Sequence, residues 1–345
     1  MAGYVLISRA FMIACVVLPV VVFDAGVSGA IAGFVLASLV TCVAGQKLSS
    51  VPFRNVSPVK SRLTVRELLR FSMPVFASSM YGFVIGSASQ FFVSRYLGVE
   101  DFALFANGYR ELPLAGMIIG AAAGVLLPEF SRMSVEGADG GQFVRLWQAA
   151  VLKSSAIIYP LSVFCCVFAP EIICLLYGEG YREAAGLFRI VTLVNLARIM
   201  PYAPVLFALG RGKARAHLVT ALLIVGLELW CVMVFPSLWA IAAIATGCTF
   251  FCLFLLMTTT ARVLGTSLAG LMPWRMLTIV LLVSAAACTA ARLAVLLTGM
   301  THHLVVVSVG FAVYLSLYLP FAQRAGIRYM ELFGPVLAKL RPNRT

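Results

Sequence analysis

Ten unbroken apolar runs divide the chain between residues 4 and 322. Each approaches the roughly 20 residues that a helix needs to cross about 30 Å of hydrocarbon. They cover residues 4–23, 27–45, 71–94, 103–127, 146–169, 187–208, 215–235, 238–261, 274–297 and 303–322. The runs are continuous and do not alternate in polarity, so they read as helices and not as barrel strands. Composition leads to the same place. Apolar residues make up 62% of the chain and charged residues 11%, against about 25% charged in a soluble domain. Too little polar surface remains to keep such a chain in water. The expected fold class is an all-α polytopic membrane bundle of about ten transmembrane helices. Met1 leads directly into the first run, which is read as a retained span because no small-residue cleavage site followed by a soluble region is present.

Lys and Arg set the expected orientation. With both termini in the cytoplasm, 18 of the 26 basic residues fall on the inner side and two, Arg95 and Arg182, on the outer side. That bias satisfies the positive-inside rule, and the reverse orientation violates it. The net charge of +13 therefore points to anionic membrane lipid as a partner, and not to nucleic acid. Thr64 to Glu67 has capping-box spacing ahead of Leu68 and Leu69, which predicts a short helix running into the third span. In the tail, Tyr329, Leu332, Phe333, Val336, Leu337 and Leu340 recur at helical spacing. This fits an interfacial helix interrupted near Gly334 and Pro335, and equally an ordinary solvated basic tail.

The chemistry-bearing residues are few. Eight of the nine cysteines lie in spans, where Cys behaves as a small hydrophobe. The Cys248–Cys252 pair has no His nearby, and His302 and His303 at an outer loop would need more ligands to form a zinc site. No metal, cofactor or catalytic residue is expected. No phosphate-cradling glycine loop, nucleophile elbow or paired loop carboxylate is present, and the loops are too short for a catalytic domain. The chain is expected not to be an enzyme.

The spans do carry small-residue stripes and a handful of polar groups. Gly116, Gly120 and Gly124 line one face of the fourth span; Ser78, Gly82 and Gly86 line one face of the third, and Gln90 continues that row. Such stripes let helix backbones approach closely. Charges inside a span cost at least about 2.5–3.5 kcal/mol each near its centre. Arg9, Arg189 and Arg292 lie near span ends, where snorkelling suffices. Arg110, Glu111, Lys153, Arg198 and Glu228 do not. Arg198 and Glu228 fall near the middle of consecutive antiparallel spans, which fits either a buried ion pair or a functional site. Arg110 and Glu111, about 100° apart on a helix, cannot neutralise each other in place. The fourth span is therefore expected to border a hydrated cavity.

Leu68 to Met133 resembles the start of the second lobe of the polysaccharide flippases, in the multidrug/oligosaccharidyl-lipid/polysaccharide exporter superfamily. The resemblance rests on Ser72 and Pro74, then Tyr96 to Gly98, then Tyr109 and Arg110, then Leu127, Pro128, Ser131 and Arg132. The turn Ala208 to Arg215 is similar to a later turn of that family. The resemblance implies two six-helix lobes with an added C-terminal pair. On that plan, residues 1–45 are the last two helices of the first lobe and 46–70 the basic cytoplasmic inter-lobe loop. Residues 71–262 form the second six-helix lobe, 273–322 the added pair, and 323–345 a basic cytoplasmic tail. The first four helices have no counterpart, so a missing first lobe, or another polysaccharide-assembly protein, is an implied partner.

The implied activity is translocation of a lipid-linked oligosaccharide, an undecaprenyl-diphosphate sugar unit for O-antigen or capsule, across the bacterial inner membrane. Arg110, Lys153, Arg198 and Gln90 are the cavity candidates for the headgroup. Glu111 and Glu228 are the candidates for ion coupling, and alternating access is the implied cycle. The alternatives are a multidrug or cation antiporter of the same superfamily, a lipid II flippase, and a membrane-embedded glycan polymerase or ligase.

Overall fold

A computed structural model describes residues 2–51, 64–208 and 214–324, with the side chains at 2, 3, 71, 207, 208 and 214 excepted. Much of the basic 46–70 connection, residues 209–213 of the Ala208–Arg215 resemblance and the 329–340 tail pattern lie outside the described residues. Among the described residues there is helix and no strand, and nine helices are long and apolar enough to cross a membrane. The protein is an all-α multi-pass membrane helix bundle. It divides into two compact units, Met1–Val65 and Arg66–Thr345.

The first unit is a helix hairpin, α1 (Ala2–Val21) and α2 (Gly26–Ser50). The Tyr4 hydroxyl donates to the Thr41 carbonyl across it at 2.5 Å. At Gly33 a Cβ would lie 1.9 Å from the Cys15 carbonyl oxygen. Only glycine permits the two backbones to touch there, as small residues do at membrane helix crossings.

The second unit begins with α3 (Val65–Tyr96), which incorporates the capping-box segment in one long helix. Then come α4 (Val99–Gly108), α5 (Pro113–Val135), α6 (Gly140–Val167), α7 (Ala169–Tyr177), α8 (Ala184–Leu193) and α9 (Tyr202–Ala208). The chain continues as α10 (Ala214–Val234), α11 (Leu238–Val263), the single turn α12 (Leu268–Leu271), α13 (Trp274–Leu297) and α14 (His303–Arg324). Local chemistry explains several starts. Asp139 caps α6 by accepting from the Gln142 N–H at 2.7 Å, Ser237 caps α11 by accepting from the Ala240 N–H, and Pro113 occupies the first turn of α5, where its missing N–H costs nothing.

Helix α6 is the packing centre, in contact with α5, α8 and α13. Its Trp147 and Ile158 are fully buried. Phe164 stacks on Phe168 and Tyr314, tying α6 to α14.

Eight of the ten expected spans coincide with helices. Two do not. The run 103–127 is not one helix: α4 ends at Gly108, residues 109–112 are irregular, and α5 begins at Pro113. With 23 residues, α5 is about 35 Å long at 1.5 Å per residue and can cross alone. Arg110 and Glu111 thus stand ahead of the crossing helix and not within it, and the helical 100° argument does not apply to them. The run 187–208 is also broken, into α8, a 3-10 turn at Val194–Leu196, irregular residues 197–201 and α9. Its backbone is packed within protein: Asn195, Ile199, Met200 and Tyr202 are all buried. Irregular backbone at membrane depth requires such cover, or a wet cavity, because lipid offers no hydrogen bonds.

The glycine row on α5 is corrected as well. A Cβ at Gly116, Gly120 or Gly124 would meet nothing within 4 Å, so this face is open and makes no close helix crossing among the described residues. The tight approach falls instead at Gly108, where a Cβ would lie 2.6 Å from the Ala184 carbonyl oxygen. That contact seats α4 against α8.

Candidate functional site

The two helix interruptions meet. Arg198, in the irregular segment after the 3-10 turn, is hydrogen-bonded through Nη1 to Glu111 Oε2, in the irregular segment before α5. The side chains are 36% and 47% exposed, so the pair is open on one side. Each interruption carries an arginine three residues before a proline, Arg110-x-x-Pro113 and Arg198-x-x-Pro201. Proline biases the residue before it away from the helix, and the missing N–H ends the backbone ladder. The adjacent Tyr109 hydroxyl reaches Thr246 Oγ1 on α11 at 2.9 Å and stacks on Phe105. These contacts fix the first interruption against the bundle.

Of the two readings left open for Arg198 and Glu228, the ion pair does not form: the guanidinium binds Glu111 instead. Glu228, on α10, is fully buried and accepts from Ser89 Oγ on α3 at 2.5 Å. Its second oxygen has no hydrogen-bond partner among the described residues. A parallel contact lies along the same two helices, where Ser78 Oγ and His217 Nδ1 are 2.9 Å apart. Both pairs are separated by 139 residues. Ser78 to Ser89 and His217 to Glu228 are each three helical turns at 3.6 residues per turn, so α3 and α10 run parallel with polar contacts roughly 16 Å apart. Ser89 and His217 were not among the expected site residues. Their matched spacing was the available signal.

The other expected residues are dispersed. Arg110 is exposed, and its Nε donates to the Ala106 carbonyl at 3.0 Å, closing the C-terminus of α4 where a cation is favoured. Lys153 opens onto a cleft of about 400 Å³ between α5 and α6, lined by Ile118, Ala122 and Ser154. Gln90 is exposed; the polar group that this face of α3 turns inward is its neighbour Ser89. Arg292 does more than snorkel: it binds Glu171 at 2.7 Å and lies over the Phe168 ring. Arg189 donates to the Cys166 carbonyl at 3.1 Å. A further groove, of about 860 Å³ between α10 and α11, is lined by Arg215, Arg262, Thr258 and Thr259 above Phe251 and Leu255.

Away from these charges, Cys174, Glu179 and His303 converge, with ligand-type atoms within 4.8 Å of one another. The His303 hydrogen bond holds the Glu179 carboxyl below its ordinary pKa.

Residues 1–186, just over half of the chain, match the model of a family described as polysaccharide biosynthesis protein. No curated protein and no solved structure matches the chain.

Proposed function

We propose that this chain, which belongs to the polysaccharide biosynthesis protein family, translocates a lipid-linked oligosaccharide across the bacterial inner membrane for surface polysaccharide assembly. The observation that carries this reading is the Glu111–Arg198 pair, which joins two non-helical segments of a membrane protein. Broken helices in transporters gather polar groups where a substrate must be held in an otherwise apolar bundle. A diphosphate-sugar headgroup has no such groups to meet in hydrocarbon, and a fixed guanidinium lowers the cost of its passage.

In this reading Arg198 holds the diphosphate. The planar guanidinium binds a phosphate through two parallel hydrogen bonds, so an incoming headgroup displaces the Glu111 carboxylate from Arg198. The freed Glu111, and the buried Glu228 with its one unpartnered oxygen, are the groups that take up a proton or another ion as the cycle turns. Arg110 and Lys153 approach the headgroup sugars. Arg215 and Arg262 would meet anionic headgroups at the basic end of α10 and α11. Both termini lie in the cytoplasm, an ion gradient drives the cycle, and the chain acts as a transporter and not as an enzyme.

The test is complementation of a strain whose surface glycan depends on the full-length gene. Arg198→Ala should lower glycan display by about tenfold or more and cause the lipid-linked oligosaccharide to accumulate in the membrane. Undiminished display in both Arg110→Ala and Arg198→Ala variants, at normal protein levels, would refute the passage.

A further inference from the structure

We infer that Cys174, Glu179 and His303 form a zinc-binding site with three protein ligands and a fourth position open to solvent. The fold assembles it from two distant stretches of chain. Cys174 lies in the last turn of α7. Gly178 then takes φ of +92°, a left-handed conformation that glycine adopts freely. This reversal starts the 3-10 turn Glu179–Tyr181 and returns Glu179 beneath Cys174, with Sγ and Oε2 3.5 Å apart. His303, the first residue of α14, brings Nε2 to Glu179 Oε1. Packing of α14 on α7 holds the imidazole there.

The donor set suits this metal. Zinc takes thiolate, imidazole and carboxylate at about 2.0–2.3 Å, so ligands around one ion stand roughly 3–4 Å apart. The three atoms already lie within 4.8 Å of one another. Cys174 is buried and uncrosslinked, while Glu179 is exposed and gives access from solvent. Arg182 Nη1 engages Glu179 Oε2 at 3.2 Å, and the ion would take the place of the contact between Oε1 and His303 Nε2. On binding, the ion replaces the Cys174 thiol proton, which leaves to solvent, and the imidazole coordinates in its neutral form. The ion would pin the start of α14 to the end of α7.

The full-length chain, carrying no histidine tag, is purified in detergent and stripped with a chelator. It is then titrated with Zn²⁺ against a chromophoric competitor, and separately with Co²⁺. One Zn²⁺ per chain is expected, and the Co²⁺ form should show thiolate-to-metal charge transfer in the near ultraviolet. Cys174→Ser should remove that band. Cys174→Ser and His303→Gln should each weaken Zn²⁺ binding by at least about 10-fold, while His302→Gln and Cys166→Ser should change neither readout. On the unsubstituted chain, Zn²⁺ should also slow maleimide labelling of Cys174, read by peptide mass spectrometry, so the conclusion does not depend on variants that fold. Absence of Zn²⁺ binding, absence of the charge-transfer band, or unslowed labelling would each overturn the site and leave an ion-pair cluster with a neighbouring thiol.

Discussion

Glu111 and Arg198 are 87 residues apart and pair where the chain has stopped being helical on both sides. Neither position offers its charge to an intact helix, and each finds its counterion in the other's gap. The pair is part-exposed, and such pairs contribute at most about 1 kcal/mol to stability. Its loss should therefore be felt in transport more than in folding.

Arg198→Ala and Glu111→Ala should each lower glycan export by about tenfold or more, since about 1.4 kcal/mol of lost stabilisation is one decade in rate. Thermal unfolding in detergent should shift little. The exchanged double variant, Glu111→Arg with Arg198→Glu, should unfold like the parent but not regain export. Full export in the exchanged variant would show that the pair is structural.

Ser89→Ala removes the one donor found on the fully buried Glu228. Leaving a buried acceptor unpaired costs about 1–3 kcal/mol, so thermal unfolding should occur at lower temperature. Glu228→Gln keeps an acceptor for Ser89 and should fold as well as the parent. If Glu228 couples ion movement, this variant should export poorly despite normal stability, as measured by glycan display and protein level together.

Arg292 and Glu171 are largely shielded and 2.7 Å apart. Arg292→Ala should destabilise by about 3 kcal/mol, because a shielded carboxylate then stands alone. Replacing both residues with Leu should recover much of that loss. The double-mutant cycle in detergent unfolding measures the coupling, and a value near zero would contradict the pairing.

Gly108→Val drives a side chain into the Ala184 backbone and should cost about 1–3 kcal/mol. Gly116→Ala and Gly120→Ala enter open space and should stay within about 1 kcal/mol of the parent. A large loss at Gly116 would mean that the α5 face is occupied in the assembled protein.

Much of this molecule was readable before folding. The length of an apolar run is a local property, and bilayer thickness converts it directly into a helix; eight of the runs followed from that alone, and the family resemblance over Leu68 to Met133 from its residue motifs. The two broken runs escaped because hydropathy averages over a window. Apolar residues on both sides of Arg110–Glu111 and of Arg198 masked the charges, and proline alone is no guide, since Pro74, Pro128, Pro160 and Pro320 all sit inside intact helices. A charge followed three residues later by proline was the better signal.

The amino-acid order therefore determined what must leave water, because transfer of apolar surface depends on each segment's own composition. Only the tertiary structure decided which charge neutralises which. Arg198 bound Glu111, while Glu228 is enclosed between α3 and α10 with Ser89. Cys174 and His303, unremarkable apart, came together for the same reason: electrostatic and ligand contacts depend on distance in space, and packing sets that distance.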